Sequence, residues 1–120
     1  MEENNKIIAE FMGFTFEKNI GYYDNEMLLE QIVYEQQNGN CFDELLFNKD
    51  WNWLMKVVEK IEKEFCSTNI HYYSQKQMYS VEFLGFNIEY DNSEYGDDKM
   101  KILYDSCVKF INFYNKQKEE

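Results

Sequence analysis

The chain contains no arginine and no proline; all twelve basic residues are lysine. Arginine is the bidentate reader of phosphates and guanine edges. Its absence, beside a net charge of −11 at pH 7, argues against direct binding of nucleic acid. Histidine is almost missing too. His71 stands in a segment of strand composition, with no GxSxG or other nucleophile motif for it to activate. No GxGxxG or GxxxxGK is present to cradle a nucleotide phosphate. Cys41, Cys66 and Cys107 are an odd number at wide spacing, with no CxxC, so reduced thiols are expected and a zinc site is not. No apolar run approaches the roughly 20 residues that span a bilayer, and the start MEENNK lacks the basic-then-apolar order of a signal peptide. The expected setting is therefore the cytoplasm, with no cofactor and no enzymatic activity.

What the chain does have is apolar side chains in order. With 120 residues, 44% of them hydrophobic, it should form a single domain spanning 1–120. Its clearest element is Asp50–Phe65, where Leu54, Val57, Val58, Ile61 and Phe65 recur at helical steps and Asp50 or Asn48 can cap the start. Trp51 and Trp53 lie about 200° apart on that helix, so one of them must face away from the core. Asn4–Met12 predicts a short first helix closed by Gly13. Lys99–Lys116, capped by Asp97 or Asp98, predicts a last helix with Met100, Leu103, Cys107, Phe110, Ile111 and Tyr114 on one stripe.

Between the helices the pattern turns to strands. Phe14–Phe16 suggests a short extended segment, Gly21–Asn25 a turn, and Cys41–Phe47 a link able to add an edge strand. Asn25–Gln37 has helical spacing, although the β-branched pair Ile32-Val33 leaves a strand open. Ile70–Ser74 and Met78–Tyr90 form a candidate hairpin. In the second segment the apolar parity changes near Gly85, which predicts either a β-bulge at Phe83–Gly85 or a tight turn dividing two strands. Asp91–Asp98 is acidic and loop-like. As a calcium loop it fails, because Tyr95 and Ile102 occupy ligand positions. The fold class expected is α+β: an antiparallel sheet of three to four strands packed with an N-terminal helix, a central helix (about 50–66) and a C-terminal helix (about 98–116).

The chain has ten tyrosines and ten phenylalanines, an abundance that AT-rich coding would also produce. Adjacent pairs such as Tyr22-Tyr23 and Tyr72-Tyr73, if extended, point to opposite faces and leave one ring of each outside. Exposed aromatic rings beside carboxylates have the character of binding hot spots. The candidate binding residues are Trp51, Trp53, Tyr72, Tyr73, Tyr90, Asp91, Glu94, Tyr95, Asp97 and Asp98.

Three strings, IIAEFMGF at Ile7–Phe14, KDWNWLMKVVEKIE at Lys49–Glu62 and ILYDSCVKFINFYNKQ at Ile102–Gln117, resemble a family of small phage and prophage proteins with an α–β–α "phage ABA sandwich" domain. They cover about a third of the chain, with Lys56 where that family has proline and Phe113 where it has tryptophan. The resemblance implies a phage-encoded accessory protein and carries no catalytic residues. The function expected is binding and inhibition of a host-defence protein, anti-CRISPR-like, such as a nuclease whose nucleic-acid groove an acidic surface could imitate. The alternative is a homo-oligomer that sequesters a nucleotide immune signal between aromatic rings. An even spread of surface charge would count against the first, and a deep aromatic pocket with lysines would favour the second.

Overall fold

The computed structural model describes residues 2–23, 27–35, 41–42, 44–85 and 88–118, those within 15–42 through their backbone. The chain is α+β, with three helices and antiparallel sheet. In order the elements are α1 (Glu2–Phe11), β1 (Thr15–Tyr23), β2 (Met27–Glu35), β3 (Cys41–Phe42), α2 (Trp51–Glu64), β4 (Ser67–Tyr73), β5 (Met78–Gly85), β6 (Ile88–Tyr95) and α3 (Lys99–Lys118).

α2 and α3 form where spacing and caps predict them, while α1 starts at Glu2, two residues before the expected Asn4, so Asn4 and Asn5 lie within the helix. Asp50 Oδ1 accepts the backbone N–H groups of Asn52 and Trp53 at 2.8 and 3.4 Å, satisfying donors the first turn of α2 leaves free. Leu54, Val57, Val58 and Ile61 of that helix are buried, and Phe65 is half-buried. In α3, Asp98 Oδ1 accepts from the Lys101 N–H at 3.1 Å, and Leu103, Cys107, Phe110 and Ile111 are buried. Gly13 follows α1 with φ +84°, a left-handed closure that glycine adopts without penalty.

Strands β4, β5 and β6 make one antiparallel sheet in that spatial order. α2 lies over β4, and α3 over β5 and β6; α1 packs on α3. The core sits between sheet and helices, with Val81 and Phe83 of β5 beneath Phe110. The predicted change of parity near Gly85 is the tight turn and not a bulge. Gly85 pairs with Ile88, so the chain reverses between β5 and β6, while residues 86 and 87 lie outside those described.

Two other segments correct the periodicity reading. Met27–Glu35 is strand β2, paired with β1 along its whole length from Thr15↔Glu35 to Tyr23↔Met27. Helical spacing there is overridden by this long pairing, in which the β-branched residues Ile32 and Val33 fit a pleated surface better than a helix. With β3 it forms a second three-stranded sheet, a ribbon about 30 Å long at 3.3–3.4 Å per residue. The turns expected at 24–25 and 38–40 lie outside the described residues.

The second correction is the acidic segment. Asp91–Tyr95 is the outer half of β6 and not a loop. Its inward polar side chains are held by α3: Asn92 Nδ2 donates to Ser106 Oγ at 3.0 Å and to Glu94 Oε2 at 2.8 Å, and Lys109 Nζ donates to Asn92 Oδ1 at 3.1 Å. Those partners remove the cost of turning polar groups toward the helix layer.

A buried polar knot ties the first helix to the last. Tyr104 Oη donates to Asn5 Oδ1 at 2.8 Å, and Asn5 Nδ2 donates to the Leu45 carbonyl at 3.3 Å and to Asn48 Oδ1 at 3.1 Å. Removing the amide strands a buried phenol. Asn5→Leu is expected to lower stability by about 2 kcal/mol, with part of the loss recovered in the double variant Asn5→Leu/Tyr104→Phe, read from urea midpoints.

Candidate functional site

In an antiparallel sheet, directly paired residues share a face, so the register of β4–β6 sorts its side chains into an inner and an outer set. The outer face, turned away from the helices, is four cross-strand rows: Ser67, Leu84 and Glu89; Asn69, Glu82 and Asp91; His71, Ser80 and Ser93; Tyr73, Met78 and Tyr95. It carries three carboxylates and no lysine. Glu89 and Asp91 are exposed and Glu82 partly so, while Tyr95 at 80% and Tyr73 stand open at one end. The turn Ser74–Gln77 brings Lys76 to that end, and Gly96 N–H donates to Gln77 O at 2.7 Å to hold the β6 exit against it.

Positive charge gathers on the other side of the molecule. α3 carries Lys99, Lys101, Lys109, Lys116 and Lys118 against the single carboxylate of Asp105, and the exposed side of α2 mixes Lys56, Lys60 and Lys63 with Glu59, Glu62 and Glu64. Lys101 is paired with Asp105 at 3.2 Å and approaches Glu94 at 3.9 Å, and these carboxylates hold its ammonium above the ordinary lysine range. The outer face of the sheet is thus a segregated acidic surface.

The candidate residues divide across these surfaces. Tyr73, Asp91 and Tyr95 meet on the outer face, with exposed Asp97 in the turn that follows β6. Asp98 is exposed but serves as the α3 cap. Tyr72, Tyr90 and Glu94 have the opposite parity and face the helices. Tyr72 stacks on Tyr79 with ring centres 4.6 Å apart, Tyr90 on Phe113 at 4.8 Å, and Glu94 meets Asn92 and Lys101. Of the two tryptophans, Trp53 packs inward against Phe47 at 5.0 Å and Phe14 at 6.1 Å, and Trp51 is the exposed one. The outer-face residues Glu82, Glu89, His71 and Met78 are missing from the sequence-derived set; strand parity alone would have found them once the turn after Gly85 was known.

His71 Nε2 lies 3.9 Å from Glu82 Oε2, both partly exposed, in the same row as Ser80 and Ser93. Burial pushes the Cys66 thiol up to about 11, with the Glu62 carboxylate adding to the shift, and the Cys107 thiol up to about 12, so neither is a thiolate at neutral pH. Among the described residues no three of His, Cys, Asp and Glu meet in a way that could hold a metal ion, and no helix is long and apolar enough to cross a membrane.

One cleft, of about 260 Å³, lies where α1, α2 and α3 converge, lined by Phe11, Lys60, Phe65, Tyr114 and Lys118 with Glu10 and Glu64. Its rings are packed on one another, Phe65 to Tyr114 at 4.5 Å and Phe11 to Phe65 at 5.9 Å. Lys60 Nζ donates to the Phe11 carbonyl at 2.6 Å and sits 4.9 Å from the Phe11 ring. No family model, characterised protein or solved structure matches this chain.

Proposed function

We propose that the chain is a protein-binding module, a phage-encoded accessory protein that docks the outer face of β4–β6 on a basic surface of a host protein and blocks it. The observation that carries this reading is the segregation of charge: Glu82, Glu89 and Asp91 stand together without a lysine among them, beside Tyr73 and Tyr95. A field of one sign speeds encounter with a basic groove, such as one that binds a nucleic-acid backbone. Two exposed tyrosines at the rim supply area that binds with little loss of rotamer freedom. A host-defence nuclease, inhibited in an anti-CRISPR-like manner in the bacterial cytoplasm, is the target class with the matching groove.

The test is capture from a bacterial lysate by the wild-type chain and by Glu82→Lys/Asp91→Lys. Both positions are on the sheet surface, so the variant should keep its melting temperature. Capture of a basic protein that falls at least tenfold with the variant, and falls with added salt, is the expected result. Equal capture by both proteins would remove the acidic face from the account.

A second reading, sequestration of a small nucleotide by an oligomer, draws on the cleft of Phe11, Phe65 and Tyr114 with Lys60 and Lys118. A thermal shift on adding nucleotides that disappears in Lys60→Ala would favour it over the first.

A further inference from the structure

We propose that two copies of the chain pair through β4, edge to edge and antiparallel, to make one continuous six-stranded sheet. β4 is an outer strand of its sheet, exposed at nearly every position. Natural edge strands are blunted by lysine, proline, bulges or inward charges, because unpaired N–H and C=O groups invite another strand. The opposite edge follows that rule, since β6 carries Glu89, Asp91 and Glu94. β4 does not: its sequence STNIHYY has no carboxylate, no lysine and no proline, in a chain whose residues are 29% charged.

The surface beside this edge is apolar. Ile70 and Tyr72, 36% and 46% exposed, lie on the helix-facing side of β4 but beyond the cover of α2. On α2 itself, Trp53 and Lys60 turn toward Phe14, Phe47 and Phe11, on the α1 side. Trp51 and Met55, one turn apart, fall roughly half a turn around from them on the opposite flank, 42% and 38% exposed. The exposed Glu62 falls on that flank as well, at the end of α2 that leads into β4. The apolar strip is therefore Ile70 and Tyr72 on the strand, with Trp51 and Met55 on the helix that contacts it, four of the large exposed apolar side chains among the described residues.

The occupant that fits is a second copy. A chain of net charge −11 repels itself almost everywhere, and this strip is where two copies meet without opposing carboxylates along the paired strands. The strand is also complementary to itself. Centred on Ile70, an antiparallel pairing sets Ile70 opposite its own equivalent and Asn69 opposite His71. Thr68, whose hydroxyl has no partner among the described residues, comes opposite Tyr72. Such an interface is two-fold by construction, and each partner contributes a seven-residue strand edge with exposed apolar side chains beside it. The two-fold axis runs through the sheet, so both acidic outer faces end on the same side.

Light scattering on a size-exclusion column tests the pairing. Wild-type protein at about 100 µM should run at twice the 14.7 kDa chain mass, and Ile70→Lys or Ile70→Glu alone at the chain mass, because like charges then face each other. An equimolar mixture of the two variants should recover the dimer, which only a register with position 70 opposite itself allows. Met55→Glu, on an exposed helix flank where folding is indifferent to it, should weaken the dimer at least tenfold. A monomeric wild type, a mixture that stays monomeric, or a dimer indifferent to both sites would overturn the proposal.

Discussion

Phe110→Ala is expected to cost about 4 kcal/mol of folding stability, within the range for deleting a fully buried aromatic ring. Phe110 has no exposed area and stands at the junction of three elements. Its ring centre is 4.7 Å from Phe83 on β5 and 6.1 Å from Phe65 at the end of α2, while its backbone belongs to α3. Truncation removes the hydrophobic transfer energy of the ring and leaves a cavity that a sheet and two helices would have to shift together to fill. A domain of this size has only about 5–15 kcal/mol in total, so the variant should be close to unfolding at 37 °C. The measurement is the urea midpoint with unchanged m-value, set against Leu84→Ala on the exposed outer face, which should lose under 1 kcal/mol.

Gly85→Ala should be nearly as damaging, at about 3 kcal/mol, through one methyl group. A Cβ built at Gly85 collides with the carbonyl oxygen of Phe65 and comes within 2.8 Å of Cys66 Cβ and 3.0 Å of Cys66 Cα. Two of these neighbours are backbone, so no rotamer change relieves the contact. The end of β5 must instead move from the α2–β4 junction, which disturbs the packing of Phe65 as well. Glycine within a strand often marks such a close approach of another chain segment. The variant should lower the melting temperature sharply, and Cys66→Ala, which keeps its Cβ, should not rescue it. A fall no larger than that of an exposed alanine substitution would show that the junction yields.

How far the fold can be read in the residues depends on the range of the forces involved. α2 and α3 follow from apolar side chains at steps of three and four with aspartate ahead of them, and both the buried stripes and the caps agree with that reading. Trp51 and Trp53 could be told to diverge, although not which would be covered. Met27–Glu35 and Asp91–Tyr95 misled because each has a local pattern, helical in one and loop-like in the other, that a distant partner overrides. For the first the partner is the whole of β1; for the second it is Ser106 and Lys109 on α3. The candidate site shared this fate. Tyr73, Asp91 and Tyr95 were recognised from composition, but they share a face with Glu82 and Glu89 only because the chain reverses after Gly85 and sets the register of β6.

The sequence by itself determined the helices, their caps and the scarcity of basic and nucleophilic groups, since these rest on residues within a turn or two of one another and on composition. Tertiary structure alone decided that Glu82, Glu89 and Asp91 share a surface apart from the lysines of α3, and that β4 keeps an uncharged open edge. Strand register and cover are long-range quantities: a shift of one residue exchanges every side chain between faces, and nothing within the strand itself says which neighbour will hold it in place.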